Sequence, residues 1–197
     1  MALKSTIFKA TLQIADMDRG HYQDHSLTIA RHPSETDERM MVRLLAFVLH
    51  ADDNLEFTKG LCVDEEPALW LKDLTGSLDH WIDVGLPDEN RLRKACSRAR
   101  QVTLYCYGGR SARIWWERNA EKLRRFGNLQ ILNLPADVTG SLADLVRRSM
   151  EFHCSVQDGQ ICLGDATTNL VIEPETLLQG HGNGTPLEST RQIQHRR

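Results

Sequence analysis

Four carboxylates flank one short stretch of this chain: Asp64, Glu65 and Glu66 run into Pro67, and Asp83 follows further on. Residues 67–85 (PALWLKDLTGSLDHWIDVG) read as a β-hairpin, because two apolar runs surround a Thr75–Gly76 turn. Residues whose numbers sum to about 151 then face each other, so Asp83 lies across from Ala68 and Asp79 across from Lys72. Side chains at 79, 81 and 83 share one face. Asp79 and Asp83 stand ~13 Å apart along the strand, too far to hold one ion together. Asp79 is therefore expected to pair with Lys72 across the hairpin. Asp83 has no base opposite it, and Glu66 falls diagonally near it on the same face. Carboxylates gathered at strand ends suit a hard cation such as Mg²⁺, with waters and phosphate oxygens completing its shell. A plainer reading stays open, and the spacing taken alone favours it: a solvated acidic loop, with Asp83 capping the helix after Pro87.

Two further residues belong to this argument. Residues 33–53 (PSETDERMMVRLLAFVLHADD) form the clearest helix, with Ser34 as expected N-cap and an apolar stripe through Met41, Leu45 and Val48. Glu38 heads that stripe. A carboxylate there is either satisfied by the helix N-terminus or aimed at a site. Lys94 sits at the edge of the inner face of a second helix, one turn beyond Arg91. Beside a metal-bound phosphate it would stabilise developing charge; alone on a helix surface it is simply solvated.

The elements that position these residues follow from periodicity. Residues 4–14 alternate, with Thr6, Phe8, Ala10, Leu12 and Ile14 on one face, and the turn DMDRG (16–20) leads into YQDHSLTIARH, an N-terminal hairpin. LEFTKGLCV (55–63) reads as a strand, and DENRLRKACSRAR as a helix with Leu92, Ala95, Cys96 and Ala99 inward. A strand (101–107), a helix (111–126) and a strand (128–134) imply a parallel pair joined by a crossover. A short helix is expected over 141–149, then a hairpin turning at Asp158–Gly159. From residue 179 no apolar periodicity remains, which predicts a disordered tail over 179–197.

Composition narrows the function classes. With 197 residues, 41% apolar and 26% charged, the chain suits one globular domain. No apolar run approaches the ~20 residues of a membrane span, and the N-terminus lacks the apolar core of a signal peptide, so a cytoplasmic protein without a membrane partner is expected. The five cysteines form no CxxC pair, and His181 and His195 make no convincing metal pair. P-loop, dinucleotide, zincin and nucleophile-elbow signatures are absent. Net charge is only −3, but it is unevenly spread. Residues 35–83 hold twelve acids and four bases, residues 88–125 eleven bases and four acids. That split fits an acidic pocket beside a phosphate-binding face, or two solvated faces.

The order of elements, with ARHPSETDERMMVRLLAF, FTKGLCVDEEP, WIDVGLPDENRLRKA and IWWERN, resembles the YaeQ family of bacterial proteins over about residues 1–178. That resemblance implies a PD-(D/E)XK nuclease-like α/β (α+β) fold, a mixed central sheet flanked by helices, with N- and C-terminal hairpins. It implies a Mg²⁺-dependent phosphodiesterase-type site. Glu38 matches the glutamate of the first core helix, Asp83 the acid of the (D/E)XK strand, and Glu66, beside Pro67, the acid of the preceding strand. Gly85 stands where the motif has lysine, and Lys94 would supply the ammonium from the helix. Two functions follow as expectations. One is a nuclease with Glu66 and Asp83 on the metal, Glu38 and Lys94 catalytic, and nucleic acid along 88–125 with Trp115 and Trp116. The other is a catalytically inactive nuclease-fold protein that binds or regulates.

Overall fold

The structure, a computed structural model, describes residues 4–59 and 65–180. β1 (Thr6–Asp16) and β2 (His21–Arg31) pair antiparallel along their whole length. The alternation buries Phe8, Ala10, Leu12 and Ile14, as expected for one apolar face. Asp16 closes the turn by accepting hydrogen bonds from the backbone amide and the Nε of Arg19, the latter at 2.6 Å.

Helix α1 (Asp37–His50) starts later than the sequence suggests. Its N-cap is Thr36, whose Oγ1 accepts from Arg39 N at 3.1 Å, whereas Ser34 bonds to the His32 side chain. The helix is also not merely striped. Every residue from Met40 to Val48 is buried, because α1 is covered on more than one side. Even Arg43 is buried, held by Glu35 at 2.7 Å, while Arg39 meets the other Glu35 oxygen at 2.8 Å.

The next elements are β3 (Leu55–Phe57), β4 (Leu69–Lys72), β5 (Leu78–Val84), α2 (Glu89–Arg98), β6 (Ala99–Cys106), α3 (Arg110–Leu123) and β7 (Leu129–Asn133). They are followed by α4 (Ala136–Asp144), β8 (Ser149–Gln157), β9 (Gln160–Gly164), β10 (Asn169–Ile172) and β11 (Glu175–Leu178). One sheet runs β11-β7-β6-β5-β4-β3, with β5, β6 and β7 parallel; the other runs β10-β9-β8-β1-β2, where β1 and β8 are parallel. Among the described residues this is a mixed α+β fold of two mixed sheets and four helices. The expected central sheet is the six-stranded one. The expected N- and C-terminal hairpins join into the second sheet through β1 and β8.

Three boundaries differ from expectation. The strand read over 55–63 is limited to Leu55–Phe57 within the described residues, and residues 60–64, with Cys62 and Asp64, lie outside them. The helix expected over 141–149 is α4, displaced to Ala136–Asp144. Pro135 is its N-cap and offers no side-chain acceptor. Residue 149 instead opens β8. The expected tail is described only to residue 180, so His181 and His195 also lie outside. No helix among the described residues is long and apolar enough to cross a membrane.

One core joins α1 to the inner faces of both sheets; a second lies beneath α2 and α3 on the far face of the six-stranded sheet. Strand alternation sends His80, Ile82 and Val84 to the α1 side, and Trp81 and Asp83 to the α2 side. On the α1 side the rings of His50 and His80 meet edge to face at 4.7 Å. Nε2 of His50 shares a 2.8 Å hydrogen bond with the Tyr105 hydroxyl, and Nε2 of His80 another with Thr103 Oγ1. Burial lowers both imidazoles, His50 well below its ordinary range and His80 to about 4. Burial likewise pushes the Cys106 and Cys154 thiols up to about 12, so they are protonated and inert.

Candidate functional site

The hairpin forms because Asp73 organises its turn. One Asp73 oxygen accepts from the amides of Thr75 and Ser77 and from the Thr75 hydroxyl, and Gly76 takes φ +84°. These donors, the hydroxyl first, hold the Asp73 carboxyl below its usual range. Leu69, Trp70 and Leu71 then face Ile82, Trp81 and His80, the register expected from the turn. It slips between Leu71 and Lys72, so Lys72 opposes Leu78 and not Asp79. The expected Asp79–Lys72 pair is therefore replaced. Lys72 Nζ lies 3.7 Å from the Trp70 ring centroid, and Asp79 pairs with Arg100 of β6 at 3.1 Å.

Asp83 is 2% exposed, at the penultimate position of β5. Its Oδ2 accepts from Arg91 Nε at 2.6 Å, and its Oδ1 from Val84 N at 3.2 Å. A second Arg91 nitrogen, Nη2, donates to the backbone carbonyl of Glu66 at 2.7 Å. Arg91 is placed by the helix start: the Asp88 side chain caps α2 and accepts from Arg91 N at 2.8 Å. One guanidinium thus ties the end of β5 to the segment before β4. Gly85, where the motif would have lysine, has φ +105° and donates its amide to Tyr105 O. A lysine there would carry a Cβ into a backbone region that glycine alone occupies without strain.

The other expected site residues are distributed around this node. The Glu66 carboxylate accepts from Lys59 N at 3.2 Å. Lys94 is exposed on α2, and no hydrogen bond or ion pair joins it to Asp83 among the described residues. Glu38 accepts from the Thr139 hydroxyl of α4 at 2.6 Å, on the opposite face of the six-stranded sheet from Asp83. The structure therefore joins the Asp83 carboxylate and the Glu66 backbone carbonyl through one guanidinium, leaves the Glu66 carboxylate with Lys59 N, and keeps Glu38 apart. Among the described residues no three His, Cys, Asp or Glu side chains are grouped to hold a metal ion. Among the described residues the arrangement does not fit a Mg²⁺ centre, because the buried Asp83 carboxylate already faces a cation. Arg91 was hidden in sequence by the basic run around it. Its signal was local: it stands three residues after the capping Asp88 and beside the buried Leu92.

Helices α2 and α3 carry the basic stretch on the same side as Asp83. Arg93, Lys94, Arg110, Arg113, Arg118 and Arg124 are exposed and have no carboxylate partner among the described residues. Trp115 and Trp116 are half-buried against the core beneath, and Trp115 Nε1 donates to Pro87 O at 2.8 Å. Between the loop after β5 and α3 lies a cavity of about 430 Å³, lined by Leu86, Pro87, Ile114, Trp115, Arg118 and Asn119 among others.

A model of the YaeQ protein family matches residues 1–174. The chain belongs to the YaeQ family. It is 48% identical over 172 residues to the uncharacterized protein YaeQ of Escherichia coli strain K12, covering 87% of this chain and 95% of that relative. The uncharacterized protein YaeQ of Salmonella typhi is 46% identical, covering 88% and 96%. The crystal structure of YaeQ from Xanthomonas axonopodis pv. citri superposes with a TM-score of 0.85 at 48% identity, covering 88% of this chain and 98% of that one. That of YaeQ from Pseudomonas syringae gives 0.86 at 36% identity, covering 90% and 98%. The architecture around Asp83 is thus read on a YaeQ-family fold, and the family assignment rests on nearly the full length of those relatives.

Proposed function

We propose that this YaeQ-family chain is a nucleic-acid-binding module of nuclease-like architecture that does not cut its ligand. The observation that carries this reading is the ion pair between buried Asp83 and Arg91, at 2.6 Å. A catalytic carboxylate of this class must offer lone pairs to a cation and leave the opposite side open to substrate. Here the guanidinium takes that place, and its second nitrogen is committed to Glu66 O. Glu38 lies across the sheet and Lys94 reaches no acid among the described residues, so no acid–base pair among them converges on one reacting atom. The exposed cations of α2 and α3 supply the binding term, since phosphate neutralisation dominates affinity for nucleic acid.

Fluorescence polarisation with labelled duplex and single-stranded oligonucleotides, at several salt concentrations, tests the binding. Four phosphate contacts to a single strand weaken affinity about fifty-fold between 50 and 200 mM salt. Salt-independent binding, or none, would sink the reading. Incubation with Mg²⁺ or Mn²⁺ tests the chemistry, with Asp83→Ala beside the wild type. No cleavage is expected from either. Cleavage by the wild type that Asp83→Ala abolishes would restore the nuclease function.

A further inference from the structure

The cavity beside α3 is unaccounted for by the ion pair and by the exposed charges alone. Its walls combine two chemistries. Leu86, Pro87, Ile114 and Trp115 provide apolar surface, and the Trp115 ring is fixed by its hydrogen bond to Pro87 O. Ser111, and Arg118 with Asn119 two turns further along α3, add polar groups. Asn119 spends its amide nitrogen on Trp115 O at 2.8 Å, which leaves its oxygen available as an acceptor. The two acids at the rim are already committed: Asp88 caps α2, and Glu89 pairs with Arg125 at 2.6 Å and Lys122 at 3.6 Å. Glu89 is thereby offset, while Asp88 keeps its negative charge, directed at the N-terminus of α2, so the anion belongs on the Arg118 side of the lining.

From this we infer that the cavity takes one unstacked nucleobase of a single strand, with Arg118 on the adjoining phosphate. The inference rests on the nucleic-acid reading above and narrows it to single strands. A volume of about 430 Å³ lies in the range of small-ligand sites and accommodates a base with its sugar. A planar, aromatic ligand with hydrogen-bonding edges matches a wall of indole and proline beside an amide oxygen and a hydroxyl. The charge footprint selects a strand over a free nucleotide. Arg110, Arg113 and Arg124 lie on or at the end of the same helix, exposed and without carboxylate partners among the described residues, and one phosphate needs only one of them. Duplex bases stay stacked and cannot enter, whereas single-strand binding commonly joins a basic track to an aromatic surface.

Fluorescence polarisation with a fifteen-nucleotide single strand, the matching duplex and a free nucleoside monophosphate as competitor tests this. Single strand is expected to bind about ten-fold tighter than duplex, and to change tryptophan emission. Arg118→Glu and the cavity-filling Ser111→Phe, both at exposed positions, are expected to lose that preference while melting like the wild type. If both forms bind equally and the variants change nothing, the base pocket is wrong and nucleic-acid binding stands. If neither form binds, the wider reading fails and the pocket with it. If the monophosphate displaces the strand at concentrations near the strand's own Kd, the occupant is a free nucleotide and the commitment to a strand is overturned.

Discussion

On the α1 side of the six-stranded sheet, His50, His80, Thr103 and Tyr105 form a neutral cluster; on the α2 side Asp83 and Arg91 form a charged pair. Both sets have a member on β5, His80 in one and Asp83 in the other, and alternation along that strand feeds opposite faces. The difference lies in what covers them. The α1 side is closed by α1 and, beyond it, by the five-stranded sheet, so an ion there would lose its hydration almost entirely. The neutral imidazoles are held below their ordinary range for that reason. The α2 side is closed by helices alone, and the Arg91 side chain keeps 21% of its surface exposed. A carboxylate survives there because its partner reaches water. Of the two sets fed by β5 the charged one lies under the thinner layer, and the buried Glu35–Arg43 pair shows that an ion beneath α1 needs an opposite charge in contact.

The largest test of that contrast removes the partner. Arg91→Ala leaves the 2%-exposed Asp83 with a single backbone donor and also strips Glu66 O of its bond. Breaking a buried pair from one side costs about 3–5 kcal/mol. Urea denaturation at pH 7 reads this as a lowered midpoint. Asp83→Leu with Arg91→Met should recover most of the loss, since an apolar pair needs no compensation. A single-variant loss below about 1 kcal/mol would mean that water already shares the pair.

The opposite face is tested by acid. His80 is neutral in the folded state down to about pH 4, and in the unfolded chain it takes up a proton near 6.5. Its folded value is depressed, so the stability it contributes is present above 6.5 and is lost as pH falls towards 4. Each tenfold difference in proton affinity between the two states corresponds to about 1.4 kcal/mol, which puts the loss at about 3 kcal/mol between pH 7.5 and pH 4. His50 acts in the same direction. The measurement is wild type against His80→Gln, unfolded at both pH values. If the variant shows the same acid loss as the wild type, the neutral cluster is not its source.

How far these two faces were legible in sequence depended on whether the cause was local. The β1–β2 hairpin, α2, β6, α3 and β7 were readable because alternation or helical period marks their buried sides. Helix α4 was misplaced because Gly140 interrupts its pattern and its N-cap is a proline without a side-chain acceptor. The β1–β8 pairing joins Lys9 to Ser149, and no local signal reports so distant a contact. At the site, Asp83 was singled out because no base stands opposite it at the open end of the hairpin, and Glu66 because it falls diagonally near Asp83 on the same face. Arg91 was not found, because one arginine among eleven bases looks like solvated charge until the helix start turns it inward.

The smallest effect belongs to the other acid on that face of β5. Asp79 and Asp83 differ by four residues, and their partners lie on different elements, Arg100 and Arg91. Arg100 is 83% exposed, so its ion pair is screened and its side chain loses freedom to hold it. Exposed pairs of this kind contribute about 0.2–1 kcal/mol. Arg100→Ala should therefore shift the urea midpoint barely, and 0.5 M salt should erase what shift there is, because exposed charges are screened within a few ångströms at high salt. The Arg91 variant should keep most of its loss in the same salt, its partner being buried. Should Arg100→Ala cost as much as Arg91→Ala, burial would not be what separates the two acids, and the bulge that frees Asp79 from Lys72 would have to carry structural weight of its own.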